Sequence, residues 1–185
     1  MATTQTFTVT LRQQCILLSL LVIKNSILAG AYIYYFGWDV PTRLLYYVFA
    51  FLFLIDILPT IVVHIQYLVK NWRSVLTIDT EKKILRYERS GTSLERSFDE
   101  INSMHYYGSY GRGSGVYSFE SYRYVRIVLN DGSHIIITCL MVNNVEKRLE
   151  GLTGIKMEKH LRVLALITVK HPGGYENNKA DTGVP

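Results

Sequence analysis

The stretch HYYGSYGRGSGVYSFESYRYVR, residues 105–126, holds six tyrosines, four glycines and three arginines. Tyrosine rings offer bases a stacking face worth about 1–3 kcal/mol per base. Arginine guanidinium groups pair with phosphate oxygens through a planar fork, and glycines let backbone amides approach a ligand closely. This chemistry suits a nucleotide. The lysine and following helix of a phosphate-binding P-loop are missing, which excludes that motif. Alternation along a strand places Tyr122, Tyr124 and Arg126 on one face and Arg123, Val125, Ile127 and Leu129 on the other. With the second set in the core, the first becomes a polar, aromatic surface. The candidate ligand residues are Tyr107, Arg112, Tyr122, Tyr124 and Arg126. The competing reading is a loop beside ordinary strand tyrosines, since tyrosine is favoured in sheets.

A second polar set lies inside apolar sequence. Lys24 sits in CILLSLLVIKNSILAGAYIYYF and Asp56 in VFAFLFLIDILPTIVVHIQYLV. The runs Gln14–Phe36 and Leu44–Val69 each exceed the about 20 residues a helix needs to cross hydrocarbon, and the short segment GWDVPTR joins them. Lys24 and Asp56 are equidistant from Val40 in that turn, so a hairpin sets them at one level, and Gln14 matches Gln66 in the same register. An unpaired charge at mid-bilayer costs at least about 2.5–3.5 kcal/mol on insertion scales, so the two are expected to pair. Asp56, Thr60 and His64 recur every fourth residue as a polar stripe. Pro59 removes the helical donor to the Ile55 carbonyl. Ser26 and Gly30 form a small-xxx-small pair for another helix. The alternatives are a satisfied ion pair in a passive anchor and an oligomeric, water-admitting assembly.

The elements that position these residues follow from patterning. The chain has 185 residues, 49% hydrophobic and 19% charged, with a net charge of +5. The expected division is 1–13 as an N-terminal segment, 14–69 as a two-helix transmembrane hairpin, 70–75 as a linker, 76–170 as a small β-domain and 171–185 as a disordered tail. Basic residues crowd after the second run, at Lys70, Arg73, Lys82, Lys83, Arg86 and Arg89. By the positive-inside rule this sets both termini of a multi-pass membrane protein in the cytoplasm. Tyr32, Tyr34, Tyr35, Trp38, Tyr46 and Tyr47 bracket the turn as an aromatic belt.

Beyond Arg73 the period changes to two. VLTIDTEKKILRYERS reads as two strands, SLERSF and INSMHYY as a third and fourth, and YRYVRIVLN and SHIIITCL as a hairpin around Asn130-Asp131-Gly132. MVNNVEKRLEGL suits a short helix from Asn144 to near Gly154, and the following residues suit one or two strands or a closing helix. The fold class expected is a membrane α-helical hairpin plus a small, mostly antiparallel β-barrel of six to eight strands with one short helix. Cys15 and Cys139 suit neither a disulfide nor a metal site. His105, His134, His160 and His171 show no metal-ligand spacing, and no serine sits in a nucleophile elbow. Neither enzyme, cofactor nor metal is expected.

Two membrane helices followed by a minimal β-domain resemble the two-transmembrane β-barrel effectors of bacterial cyclic-oligonucleotide antiphage signalling. The resemblance implies a lipocalin-like barrel that binds a cyclic di- or trinucleotide, homo-oligomerisation, disruption of the inner-membrane bilayer and cell death, with no nucleic acid polymer as partner. The strand-turn pattern with a late helix is also similar to bacterial pleckstrin-homology-like membrane proteins. That similarity implies a non-enzymatic module binding a partner or lipid, tethered to the inner membrane.

Overall fold

Threonine alternating with Gln5, Phe7 and Val9 begins the first strand, and a helical hairpin intervenes before its partner arrives. The computed structural model describes residues 4–37, 42–110 and 117–167. Val40, Arg112, His171 and the 171–185 tail lie outside the described residues. Strand β1 (Thr4–Thr8) leads into α1 (Leu11–Phe36), capped by Thr10, whose hydroxyl accepts from the Gln13 amide. The return arm is α2 (Thr42–Leu52), a π-helical turn at Phe53–Ile57, and α3 (Leu58–Asn71). The π-turn has a local cause. Pro59 cannot donate to Ile55, and the Leu58 amide reaches back to Phe53 instead.

The rest of the first sheet is a meander of β2 (Ser74–Asp79), β3 (Ile84–Arg89) and β4 (Thr92–Ser97), in the order β1-β2-β3-β4. A 3-10 turn at Phe98–Glu100 then turns the chain into the second sheet. Its capping box holds the Ser97 hydroxyl to the Asp99 amide and the Ser97 amide to Glu100. The second sheet comprises β5 (Ile101–Ser109), β6 (Tyr124–Leu129), β7 (His134–Thr138) and β8 (Glu158–Arg162), in the order β7-β6-β5-β8. Gly132, with φ of 81°, makes the turn between β6 and β7. Helix α4 (Val145–Thr153) precedes β8.

Leu76, Ile78 and Leu85 of the first sheet meet Met104, Val125, Ile127 and Ile137 of the second, with Val145 and Leu149 of α4 completing the core. Every residue of β6 is buried. Its inner face meets this core, and its outer face meets α3 through Val63 and Tyr67.

The barrel expectation is corrected to two open four-stranded sheets with helices. β4 and β5 follow one another but belong to different sheets, because the Phe98–Glu100 corner separates their edges. Two further elements differ from the sequence reading. Residues of the N-terminal segment form an edge strand on β2, and β8 pairs with β5 in parallel. A parallel partner needs a crossover connection, which α4 supplies.

Candidate functional site

The outer face of the second sheet carries Tyr107, Tyr124 and Arg126 of the residues singled out above, and the polar stripe of the hairpin lies on α3 and the turn before it. Period-two alternation sends Tyr107 of β5, Tyr124 of β6 and His160 of β8 to this face, in one row. Its two ends differ in what covers them.

At the covered end α3 lies against the sheet. Asn71 accepts from the Thr138 amide at 3.0 Å and donates to the Ile136 carbonyl at 2.8 Å, replacing a missing neighbour at the end of β7. The Tyr67 hydroxyl donates to the Ala165 carbonyl at 2.6 Å, and the Tyr124 hydroxyl to Leu166 at 3.2 Å. Tyr122 meets His64 Nδ1 at 2.8 Å. Tyr107, Tyr122, Tyr124 and Arg126 are all buried here, not displayed on an open surface. Burial holds the Tyr122 phenol above its usual pKa. Tyr107 is raised for the same reason, with Arg126 and Arg162 drawing it part of the way back.

Further along the hairpin the stripe Asp56, Thr60 and His64 faces the domain. Asp56 is 3% exposed and accepts from Lys24 Nζ at 3.0 Å, the Ser118 amide at 2.5 Å, the Ser118 hydroxyl at 2.9 Å and Asn25 at 3.3 Å. The turn spacing thus anticipates the Lys24–Asp56 level. Ser118 belongs to a 3-10 turn, Ser118–Ser121, contributed by the tyrosine-rich stretch. Thr60 donates to the Asp56 carbonyl at 2.6 Å. Gln66 binds the backbone of Ile167 through both its amide atoms.

At the open end two histidines and a carboxylate converge. His105 Nδ1 is 3.1 Å from His160 Nε2 and 3.2 Å from Glu158 Oε2, and His160 Nε2 is 3.6 Å from Glu158 Oε1. His105 Nε2 meets the Ser103 hydroxyl at 2.9 Å. The His160 ring stacks on Tyr107 at 4.9 Å, and Tyr107 stacks on Tyr124 at 4.7 Å, so the ring row links the two ends. Among the described residues this trio could hold a metal ion. Sequence reasoning missed it because Glu158 and His160 reach His105 only through the parallel β5–β8 register. The readable signals were Ser103-x-His105 and Glu158-x-His160, each pair on one strand face.

A family model of the PH domain matches residues 4–148, from β1 into α4 and including the helical hairpin. No curated protein and no solved structure matches the chain. The family match overturns the antiphage-effector reading, and with it the cyclic oligonucleotide partner, ligand-driven homo-oligomerisation, bilayer disruption and cell death. The multi-pass inner-membrane localisation is corrected as well. Both arms of the hairpin are long and apolar enough to cross a bilayer, by length and composition alone. The return arm below Asp56, however, is docked on the sheet through Val63, Tyr67 and Asn71, with Leu17 of α1 packed at the margin of the same cluster. Above that pair each arm extends on the order of 20 Å at 1.5 Å per residue, short of the ~30 Å hydrocarbon core. A spanning hairpin would draw the Ser118–Ser121 turn, with Glu120, into lipid. The chain belongs to the PH domain family, whose fold is non-catalytic, and it is not an enzyme.

Proposed function

We propose that the protein is a non-enzymatic PH-domain interaction module held at a membrane surface by the tip of its hairpin, which enters one leaflet and returns. The observation that supports this reading is the division of the hairpin at Asp56. Below it, polar side chains bind the domain. Above it, Ile27, Tyr34, Phe36, Tyr46, Tyr47, Phe51 and Leu54 are all exposed. An apolar patch of that extent marks an interaction surface. The exposed apolar surface continues down α1 and α3 through Leu20, Ile23, Ile65 and Val69, so the hairpin lies tilted with that side also against lipid.

The test is flotation of the full chain with phosphatidylcholine vesicles. The native protein co-floats, and Ile27→Glu with Phe51→Glu stays at the bottom while keeping its circular dichroism. A native chain that is monodisperse without lipid or detergent, and does not float, overturns the tether. Depth is tested with Tyr34→Cys in a Cys15→Ser background. A maleimide sealed inside the vesicles fails to label a single-leaflet hairpin, whereas labelling from the lumen restores the spanning topology.

A further inference from the structure

We infer that His105, Glu158 and His160 form a binding site for a divalent transition metal, with zinc as the best-suited ion. The argument begins with the donor set. Two imidazoles and one carboxylate are the borderline ligands zinc takes at about 2.0–2.2 Å. Donors arranged tetrahedrally at that radius stand about 3.3 Å apart. His105 Nδ1 stands 3.1 Å from His160 Nε2 and 3.2 Å from Glu158 Oε2, while the 3.6 Å approach to His160 Nε2 is made by the other carboxylate oxygen, Oε1. With one ligand atom taken from each residue, all three lie within 4.8 Å of one another, and rotation of the exposed Glu158 carboxylate is the adjustment that brings one of its oxygens to both imidazoles.

The surroundings hold that geometry. Ser103 Oγ lies 2.9 Å from His105 Nε2, where it would accept from Nε2–H once Nδ1 is given to the metal. His160 then carries its proton on Nδ1 and offers Nε2. Its ring orientation is kept by stacking on the buried Tyr107. The backbone register sets Glu158 directly beside His105. The Glu158 side chain is 65% exposed, so the cluster opens to solvent on that side. Arg126 lies across β5 from Glu158, paired in register with His105. Its charge tempers the affinity for a cation and favours a site that keeps its carboxylate. Glu158 and His160 lie beyond the residues matched by the PH-domain family model, so the site depends on β8 of this chain. Bound metal would fasten this edge strand to β5.

The test uses the full chain in detergent, stripped with chelator and titrated with Co2+. One equivalent produces visible d–d bands of tetrahedral intensity, and Zn2+ bleaches them. Glu158→Gln, which changes an exposed side chain, weakens Co2+ binding at least tenfold, and Ser103→Ala weakens it by about tenfold. His160→Ala abolishes the bands. Zn2+ also slows hydrogen exchange of the Lys159–Arg162 amides in the native chain and not in Glu158→Gln. Absence of the bands, or equal binding by the native chain, Glu158→Gln and His160→Ala, overturns the site.

Discussion

The two ends of the second sheet's outer face use similar side chains to opposite effect. Under α3, Tyr67, Asn71 and Tyr124 each give a hydrogen bond to a backbone carbonyl, and Asn71 also takes one from a backbone amide. Polar groups so buried become staples, because a broken bond would leave its partner without water. At the open end His105, Glu158 and His160 turn toward one another beside solvent, where their bonds exchange at little cost. Covering by a helix converts a polar face into structure, and leaving it bare keeps it available to a ligand.

The comparison predicts a graded series of effects. Asp56→Ala has the largest, because it leaves Lys24 and the Ser118 amide without their carboxylate. Removing one member of a buried pair costs about 3–5 kcal/mol, and the partial exposure of Lys24 brings the expectation to about 3 kcal/mol, read by denaturant unfolding in micelles. Asn71→Ala follows at about 2 kcal/mol by the same measurement, since two backbone groups of β7 lose their partner.

Cys139 sharpens the contrast through pH. Burial pushes its thiol up to about 11 from a usual value of 9.0. The unfolded thiol therefore ionises first and binds fewer protons than the folded one between about pH 9 and 11. Stability declines with rising pH in that window, by no more than about 1.4 kcal/mol per unit from this group. Cys139→Ala removes that part of the slope. In the native state Cys15, which is exposed, is alkylated while Cys139 is spared. The smallest effect is that of Glu158→Gln without metal, within about 0.5 kcal/mol of native. A loss there as large as that of Asn71→Ala would erase the distinction between the ends.

The strands from β2 to β7 were legible because each carries its own period and its own turn, Asn130-Asp131-Gly132 most clearly. The helical hairpin and the Lys24–Asp56 level were legible from length and symmetry. What escaped depends on partners distant in sequence. Thr4–Thr8 becomes a strand only because β2 lies beside it. Tyr122, Tyr124 and Arg126 alternate as a surface would, yet α3 covers them, and no local pattern reports a helix docking on the second face of a strand. The barrel expectation failed at one corner, Phe98–Glu100, where strand count says nothing about which edges join. The His105, Glu158 and His160 cluster required a parallel register that only the assembled sheet supplies.

The placement of the hairpin inside the first sheet has a consequence for how the chain assembles. Thr4 meets Asp79 across a separation of 75 residues, a loop whose closure entropy would ordinarily delay pairing. The hairpin returns on itself before β2 begins, so its own zipping delivers the two strand ends to one place. The β1–β2 edge should then form late in folding, after the Lys24–Asp56 crossing has joined the arms, and its amide protection reports whether that insertion has closed.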